Sequence, residues 1–552
     1  MRLKTCKLRF LRKLALPLLI IFVCSVAIQA QVVHFADPNL EMAVQEALQK
    51  PEGSIAANDM ALLVKLDATA RGITDLSGLE YAVNLQSLDL GGNQISDISP
   101  LADLTALRVL HLESNLIQDI SPLATLGHLR ELDLSGNRIW YIYPLANLTD
   151  LVSLNLTYNQ IKNIAAVGNL SNLQVLEMAC GSISDISPLA NLVKLEKLAL
   201  WRNRISDLAP IMHLANLKEL TLSENSINDI SPLADLRRVE VLCLGENSLS
   251  DISPLAGLTA LRILDIAHNV IGDIAPLANL ADLEELYLRG NRTADISGLA
   301  NLVYLQRLDL ASNLIGDITP LASLTELKVL YLSSNKITNI CPLANLTALK
   351  ALDLAKNQIS DISPLASLSA LETLHLEANQ LTDVTPLANL LNLRLLDLMG
   401  NQIVDVAPLA NLSQLKVLDL GTNRISDLSP LVDLVNLEQL DLGNNQIASI
   451  SSLADLSNLR VLSLNDNQIS NISPIGGLTC LHSVGLSHNW ISNLSALVAN
   501  SQAGGLDLGG SVDVCYNYLD LTPASQAMAD IQSLIERGVI VEYERSDRFM
   551  GQ

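Results

Sequence analysis

Leucine and isoleucine return in a fixed order along most of this chain. In one copy of the pattern they stand at Leu85, Leu88, Leu90, Ile95, Ile98, Leu101 and Leu104, and Leu107 opens the next copy. Within it, Ser87-Leu88-Asp89-Leu90-Gly91 alternates polar and apolar residues. A period of two predicts a strand with Leu88 and Leu90 turned inward and Ser87, Asp89 and Gly91 turned out. The following Asp97-Ile-Ser-Pro-Leu-Ala102 predicts a short helical or 3₁₀ turn, with Ser99 as N-cap and Pro100 at the first helical position. Each copy supplies one strand and one turn.

An asparagine marks the copies, at Asn93, Asn115, Asn137, Asn159, Asn203, Asn225, Asn247, Asn269, Asn291, Asn313, Asn335, Asn357, Asn379, Asn401, Asn423, Asn445, Asn467 and Asn489. The step is 22 residues, and Gly181 fills the one missing slot. At the bend after a strand, backbone groups must be satisfied internally, and a buried amide both donates and accepts. These asparagines therefore read as a structural ladder between successive turns. No single copy buries its leucines alone, so copies must stack and both ends need caps.

At the N-terminal end, Asp37-Pro38 predicts a helix with Leu40, Val44, Ala47 and Leu48 on one face, ending at Lys50-Pro51, and Arg71 occupies the asparagine slot. At the other end Asn517 follows Asn489 by 28 residues, so about six residues are inserted near Ala499 to Gly505. Thr522-Pro523 then predicts a last helix with Met528, Ile531, Leu534 and Ile535, closed by Gly538, and a closing strand over Val539 to Tyr543. The expected organisation is an N-terminal cap with a degenerate first repeat over 31–80, repeats over 81–515 and a C-terminal cap over 516–552. The fold class is α/β, a leucine-rich repeat solenoid with a curved parallel sheet on its concave side, 3₁₀ turns on its convex side and helical caps.

The phrase Asn-Gln-Ile-Ser-Asp-Ile-Ser-Pro-Leu-Ala, at Asn93 to Ala102 and again at Asn357 to Ala366, resembles the 22-residue repeats of the bacterial internalins. The helix ahead of Arg71-Gly-Ile-Thr-Asp-Leu is similar to the internalin N-terminal cap. The resemblance covers roughly residues 35 to 495. It implies a surface or secreted bacterial protein that binds host proteins through a concave repeat sheet. The immunoglobulin-like region and LPxTG sorting signal that often follow internalin repeats are not found in this sequence, so host invasion is not implied.

Charge and the N-terminus narrow the compartment. An apolar run from Leu14 to Ile28 follows Arg2, Lys4, Lys7, Arg9, Arg12 and Lys13 and ends at Ala30, as a secretory signal peptide over residues 1–30 does. Cleavage leaves 29 Lys plus Arg against 58 Asp plus Glu, a net charge of −29. Such a surface repels phosphate backbones and excludes nucleic acid as a partner. No later stretch is apolar enough to span a membrane. Cys180, Cys243, Cys341, Cys480 and Cys515 are sparse and odd in number, which indicates neither a disulfide framework nor a zinc site.

No nucleophile, metal or nucleotide motif appears, so no enzyme, cofactor or metal centre is expected. Cys243 faces outward without an assigned base, and the repeated Asp97, Asp119 and Asp185 read as turn and helix caps. Two outward rows, Asp89/His111/Asp133 and Asp353/His375/Asp397, contain ligand types for a divalent cation, and Asp353, Asp397, Asp419 and Asp441 form a run open to weak Ca²⁺ binding. The simpler reading is that each histidine relieves repulsion between stacked carboxylates and has a raised pKa.

Recognition is the remaining class of function. Fifteen aromatic residues remain after cleavage, and interface hot spots favour Trp, Tyr and Arg. Tyr158, Trp201, Arg202, Arg204, Tyr287, Arg289, Arg292, Arg307 and Tyr331 fall on outward strand or strand-exit positions, a cationic and aromatic zone on an otherwise acidic sheet. Trp490 reads as cap packing. The sequence thus predicts an exported, monomeric, non-enzymatic protein, periplasmic, secreted or on the cell surface, whose partner is an extracellular or envelope protein or a glycan. The alternative is a structural envelope or matrix component without a single ligand.

Overall fold

The computed structural model describes residues 31–544, and the signal peptide expected over 1–30 lies outside them. The chain divides into two compact units, Met1–Leu261 and Arg262–Gln552. The first holds nine three-residue strands, from β1 (Lys65–Asp67) to β9 (Val241–Cys243), and the second holds thirteen, from β10 (Ile263–Asp265) to β22 (Ile540–Glu542). Within each unit neighbouring strands pair parallel at one-repeat register, as in Leu88 against Leu110 and Leu308 against Leu330. The architecture is the α/β repeat solenoid that the period predicts.

The alternation decides which side chains enter the core. Leu88 and Leu90 are fully buried, as are Ile95, Leu101, Leu104 and Leu107 of the same copy. Ser87 and Asp89 flank Leu88 on the outward face and are half-buried by their neighbours along the sheet.

The bend is held by the asparagines. Asn313 accepts a hydrogen bond from the Thr293 N–H at 3.0 Å and donates to the carbonyls of Leu288, Leu310 and Ala311 at 3.0 to 3.2 Å. The residue before the asparagine adopts a left-handed conformation, as at Ser312 (φ 56°) and Tyr158 (φ 57°). That conformation is unfavourable for a residue with a Cβ. It is fixed by a hydrogen bond to the next strand's exit, Ser312 N–H to Ser333 O at 2.7 Å and Tyr158 N–H to Ala179 O at 3.0 Å.

At the turns the expected aspartate caps are found, and the expected serine cap is not. Ser99 is the first residue of the 3₁₀ turn Ser99–Leu101 rather than its N-cap. Ile98 holds the N-cap position, and the carboxylate of Asp97 before it accepts from the Ser99 N–H at 2.8 Å and from its hydroxyl at 3.0 Å. Asp119 and Asp185 do the same for Ser121 and Ser187. Carboxylate reaches two residues ahead more readily than a serine reaches its own turn.

Four α-helices complete the described residues: α1 (Pro38–Ala47), α2 (Ala57–Met60), α3 (Ser495–Gln502) and α4 (Gln526–Glu536). Asp37 caps α1 through the Asn39 N–H and also accepts from the Thr74 N–H, tying the helix to the first repeat. The buried face of α1 is Leu40, Ala43 and Val44; Ala47 is exposed and Leu48 half-buried, because the helix ends there. The six-residue insertion near Ala499 turns a 3₁₀ turn into α3, after which Asn517 resumes the ladder by donating to Leu486 O at 2.8 Å. Helix α4 starts after Ser525, not at Thr522-Pro523, since the Ser525 hydroxyl accepts from the Met528 N–H at 3.2 Å. Ala527, Ile531 and Leu534 are buried, whereas Ile535 is exposed. Gly538 (φ 87°) then leads into β22, which pairs parallel with Ser511–Asp513. Trp490 is 48% exposed, so it does not pack into the cap as expected.

Candidate recognition surface on the strands

In the second unit the third residue of each strand forms an outward row in register, Asp265, Tyr287, Asp309, Tyr331, Asp353, His375, Asp397, Asp419 and Asp441. Parallel strands set such neighbours about 4.8 Å apart. Asp309 is buried between the two tyrosines and its carboxylate accepts from the Ala311 N–H at 2.9 Å. Burial raises its pKa, and the nearby Arg289 charge opposes the rise. Tyr287 donates its hydroxyl to Glu285 at 2.5 Å. Burial, with that bond, pushes the phenol up to about 12, so it stays protonated and offers a partner its ring rather than its tip. Arg289 and Arg292 are exposed, and Arg307 is half-buried on the strand between those of Tyr287 and Tyr331. Of these five predicted residues Tyr287, Arg307 and Tyr331 lie on adjacent strands, and Arg289 and Arg292 follow the first of those strands.

The row beyond Tyr331 is acidic. His375 lies 3.9 Å from both Glu377 and Asp397, and its pKa is raised first by Asp397, against burial, with Asp353 and Glu377 adding to the rise. His375, Glu377 and Asp397 form, among the described residues, a group whose donor atoms all lie within 4.8 Å of one another. Three donors on one open face leave much of a cation's coordination to water. In the first unit His111 contacts Asp89 at 3.4 Å and Glu131 at 3.1 Å, so its second partner is Glu131 rather than Asp133. Burial lowers the pKa of His111, but these two carboxylates outweigh it and the net shift is upward. Neighbouring carboxylates thus favour the protonated form of both histidines.

The first unit carries Trp201, Arg202 and Arg204. Trp201 is half-buried and meets Tyr158 edge to face, with ring centroids 5.9 Å apart. One copy lies between them in the ladder, and it presents only Ala179, Cys180 and Gly181, small enough to leave the space open. Arg202 approaches Glu224 at 3.6 Å, and Arg204 is exposed. The eight predicted residues accordingly fall into one group of three and one of five, each in its own unit.

A second aromatic group escaped a search confined to strand positions. Trp140, Tyr141 and Tyr143 are all more than half exposed, on the turn that follows the bend. Its signal is departure from the repeat's own pattern, since Ser96, Asp97 and Ser99 stand at the matching places in the copy of Asn93. Among the described residues Cys180, Cys243, Cys341, Cys480 and Cys515 are not joined in disulfides. Among the described residues no helix is long and apolar enough to cross a membrane.

The sequence model of the leucine-rich repeat family, described as Leucine Rich repeats (2 copies), matches twelve segments between residues 83 and 499, among them 83–125, 215–257, 305–345 and 457–499. An internalin of Listeria monocytogenes, inlF, is 34% identical over 70% of this chain and 95% of that one, with a TM-score of 0.42. The chain belongs to the internalin-like leucine-rich repeat proteins. A second Listeria monocytogenes internalin, inlC2, is 38% identical over 38% of this chain and 94% of that one, at a TM-score of 0.38. The fold of this internalin-like chain is also similar to that of the Arabidopsis receptor kinase HAESA, solved with a peptide hormone and a co-receptor (22% identity, TM-score 0.60, 89% and 91% of the two chains). A comparison with curated proteins gives no match. The matched relatives are repeat proteins, and none of these comparisons indicates an enzyme family.

Proposed function

We propose that this internalin-like protein is exported and binds a protein ligand as a monomer, through the outward face of its strands. The observation that carries the reading is the row Tyr287, Asp309, Tyr331, flanked by Arg289 and Arg307, on a face otherwise dominated by carboxylates. Tyr287, half-buried with its hydroxyl already bonded to Glu285, loses little conformational freedom on binding, and arginine beside it supplies directed donors; both are features of interface hot spots. Arg292 adds a further exposed cation in this unit, and Trp201, Arg202 and Arg204 offer a smaller group of the same kind in the other. The leucines beneath carry the core, so the outward residues are free to vary with the ligand. Family membership supports the same reading, because internalins are surface or secreted proteins.

The test is capture from the native extracellular or envelope fraction, comparing the wild type with Tyr287→Ala, Arg289→Glu and Trp201→Ala. Each is expected to weaken binding by roughly 1 to 3 kcal/mol with unchanged thermal unfolding. Arg289→Glu should also reduce the salt dependence of an acidic ligand. Asn279→Ala, on a 3₁₀ turn, is the control. Equal binding by the Trp201/Tyr287 double variant, with loss on turn-side changes, would move recognition off the strands.

A further inference from the structure

Three successive copies of the first unit depart from the repeat pattern at neighbouring places. In the copy of Asn137, Trp140, Tyr141 and Tyr143 replace the polar Ser, Asp and Ser. In the copy of Asn159, Ala165-Ala166 stands where the pattern has Ser-Pro, and in the third copy Gly181-Ser182 stands where it has Asn-Gln. The result is a cleft of about 640 Å³, whose lining includes the three aromatic residues, the small Ala165, Ala166 and Ser182, and the polar Gln160, Lys162 and Asn163. The centroids of Trp140 and Tyr141 are 5.7 Å apart at 43°, and those of Tyr141 and Tyr143 are 6.3 Å apart at 25°. The rings form a stepped platform beside the cleft rather than a closed box.

Stability does not account for this arrangement. Tyr141 stands where Asp119 in the copy before caps its turn and where Asn163 in the copy after accepts from the Ala165 N–H at 2.9 Å. A tyrosine supplies no such acceptor to the Tyr143 N–H. All three rings remain more than half exposed, so little burial offsets the lost cap. The absent ladder amide at Gly181 also deprives the Ile161 N–H of the acceptor that Ile139 finds in Asn159 and Ile183 finds in Asn203. Aromatic faces, small lining residues and a broken ladder coincide at one cleft.

We infer that this cleft is a saccharide-binding site that takes a short stretch of a neutral, hydroxyl-rich pyranose chain. A pyranose presents rows of C–H hydrogens that complement the negative faces of Trp140, Tyr141 and Tyr143. Its hydroxyls both donate and accept, as do the Gln160 amide, the Ser182 hydroxyl and the tyrosine hydroxyls. Among the described residues Gln160 and Lys162 make no side-chain hydrogen bond or ion pair, so their polar ends are available to such hydroxyls. A proline-rich peptide asks chiefly for donors, since its imide nitrogens carry no proton. A quaternary ammonium is disfavoured by Lys162 in the lining and would fill only part of the volume. The cleft matches the size of ordinary small-ligand sites.

The experiment titrates the exported protein with neutral hexasaccharides of glucose, mannose, xylose, galactose and N-acetylglucosamine, and in parallel with hexaproline, following calorimetry and tryptophan fluorescence. At least one hexasaccharide should saturate with a dissociation constant below about 1 mM. The triple change Trp140→Ser, Tyr141→Asp and Tyr143→Ser restores the repeat pattern, so it should fold at least as well by thermal unfolding while binding that sugar at least tenfold more weakly. Tyr304→Ala, an exposed ring elsewhere, should bind it as the wild type does. The proposal is overturned if no hexasaccharide saturates, if hexaproline alone binds, or if the folded triple variant keeps wild-type affinity.

Discussion

In the second unit the copies from Asn313 to Asn423 keep every ladder amide and every capping side chain, whereas in the first unit the copies marked by Asn137, Asn159 and Gly181 lose a cap, a proline and an amide in turn. The leucines do not distinguish the two stretches. Leu145, Leu148, Leu151 and Leu154 are as completely buried as Leu321, Leu324, Leu327 and Leu330. What changes is confined to positions that the core does not need. The regular stretch instead gathers carboxylates on its strand face, where burial first, and then the charges of neighbouring carboxylates, raise the pKa values of Asp419 and Glu377. Regularity satisfies the backbone and crowds like charges, while irregularity frees room for aromatic rings and leaves backbone groups short of partners.

The largest test of that contrast is Asn313→Ala, which strips four hydrogen bonds from a buried bend and should lower stability by about 2 to 4 kcal/mol in urea unfolding. A loss under 1 kcal/mol would mean that the regular ladder matters little. Next is Asp419. Burial, then the charges of Asp441, Asp397 and Glu377, push its pKa up to about 6 against the Gly421 N–H, which lowers it. Its folded state keeps a proton that the unfolded chain releases near pH 4, so stability should fall as pH rises from about 4 to 6. Asp419→Asn should flatten that slope and add roughly 1 to 2 kcal/mol at pH 7, after allowance for solvent screening. An unchanged slope would remove like-charge crowding as the weakness of the regular stretch.

In the irregular stretch, a Cβ at Gly181 would sit 2.9 Å from Asn203 Oδ1, the atom that accepts from the Ile183 N–H. Gly181→Ala should therefore cost about 1 kcal/mol, since it disturbs one bond of the ladder; a gain would show that the gap is slack. Smallest is Tyr141→Asp, which returns the missing cap and should raise stability by about 0.5 kcal/mol in thermal unfolding. If it lowers stability instead, the three rings support the turn by packing and the contrast with the regular stretch weakens.

The strands, their register and the ladder were legible because a 22-residue period repeats one solution many times, and noise in one copy is averaged by the others. Positions outside that average were harder to read. The pattern offers both Asp97 and Ser99 as caps, and the structure uses the carboxylate of Asp97, which accepts from the Ser99 N–H. The start of α4 was placed at a proline when Ser525 held the accepting hydroxyl. The place of Trp490 near the end of the repeats points to cap packing, and the structure leaves it half exposed. Trp140, Tyr141 and Tyr143 were visible in the sequence, but only as exceptions to the turn pattern, whereas the search for recognition residues followed the strands. The two groups built around Trp201 and Tyr287 followed from alternation; the burial of Asp309 between two tyrosines required three-dimensional packing.

The asparagine ladder points in one direction. Asn115 bonds to the Ile95 N–H and the Leu90 carbonyl of the copy before it, and otherwise to Leu112 and Glu113 of its own. Asn379 does likewise with Ile359 and Leu354 behind it. Every partner an amide requires has thus left the ribosome before the amide itself. In a chain synthesised from its N-terminus, each new amide therefore meets partners already in place and completes the bend of the copy before it. Growth from the opposite end would present each new bend with an amide still waiting for its partners, so the time order of synthesis and the spatial order of the hydrogen bonds coincide.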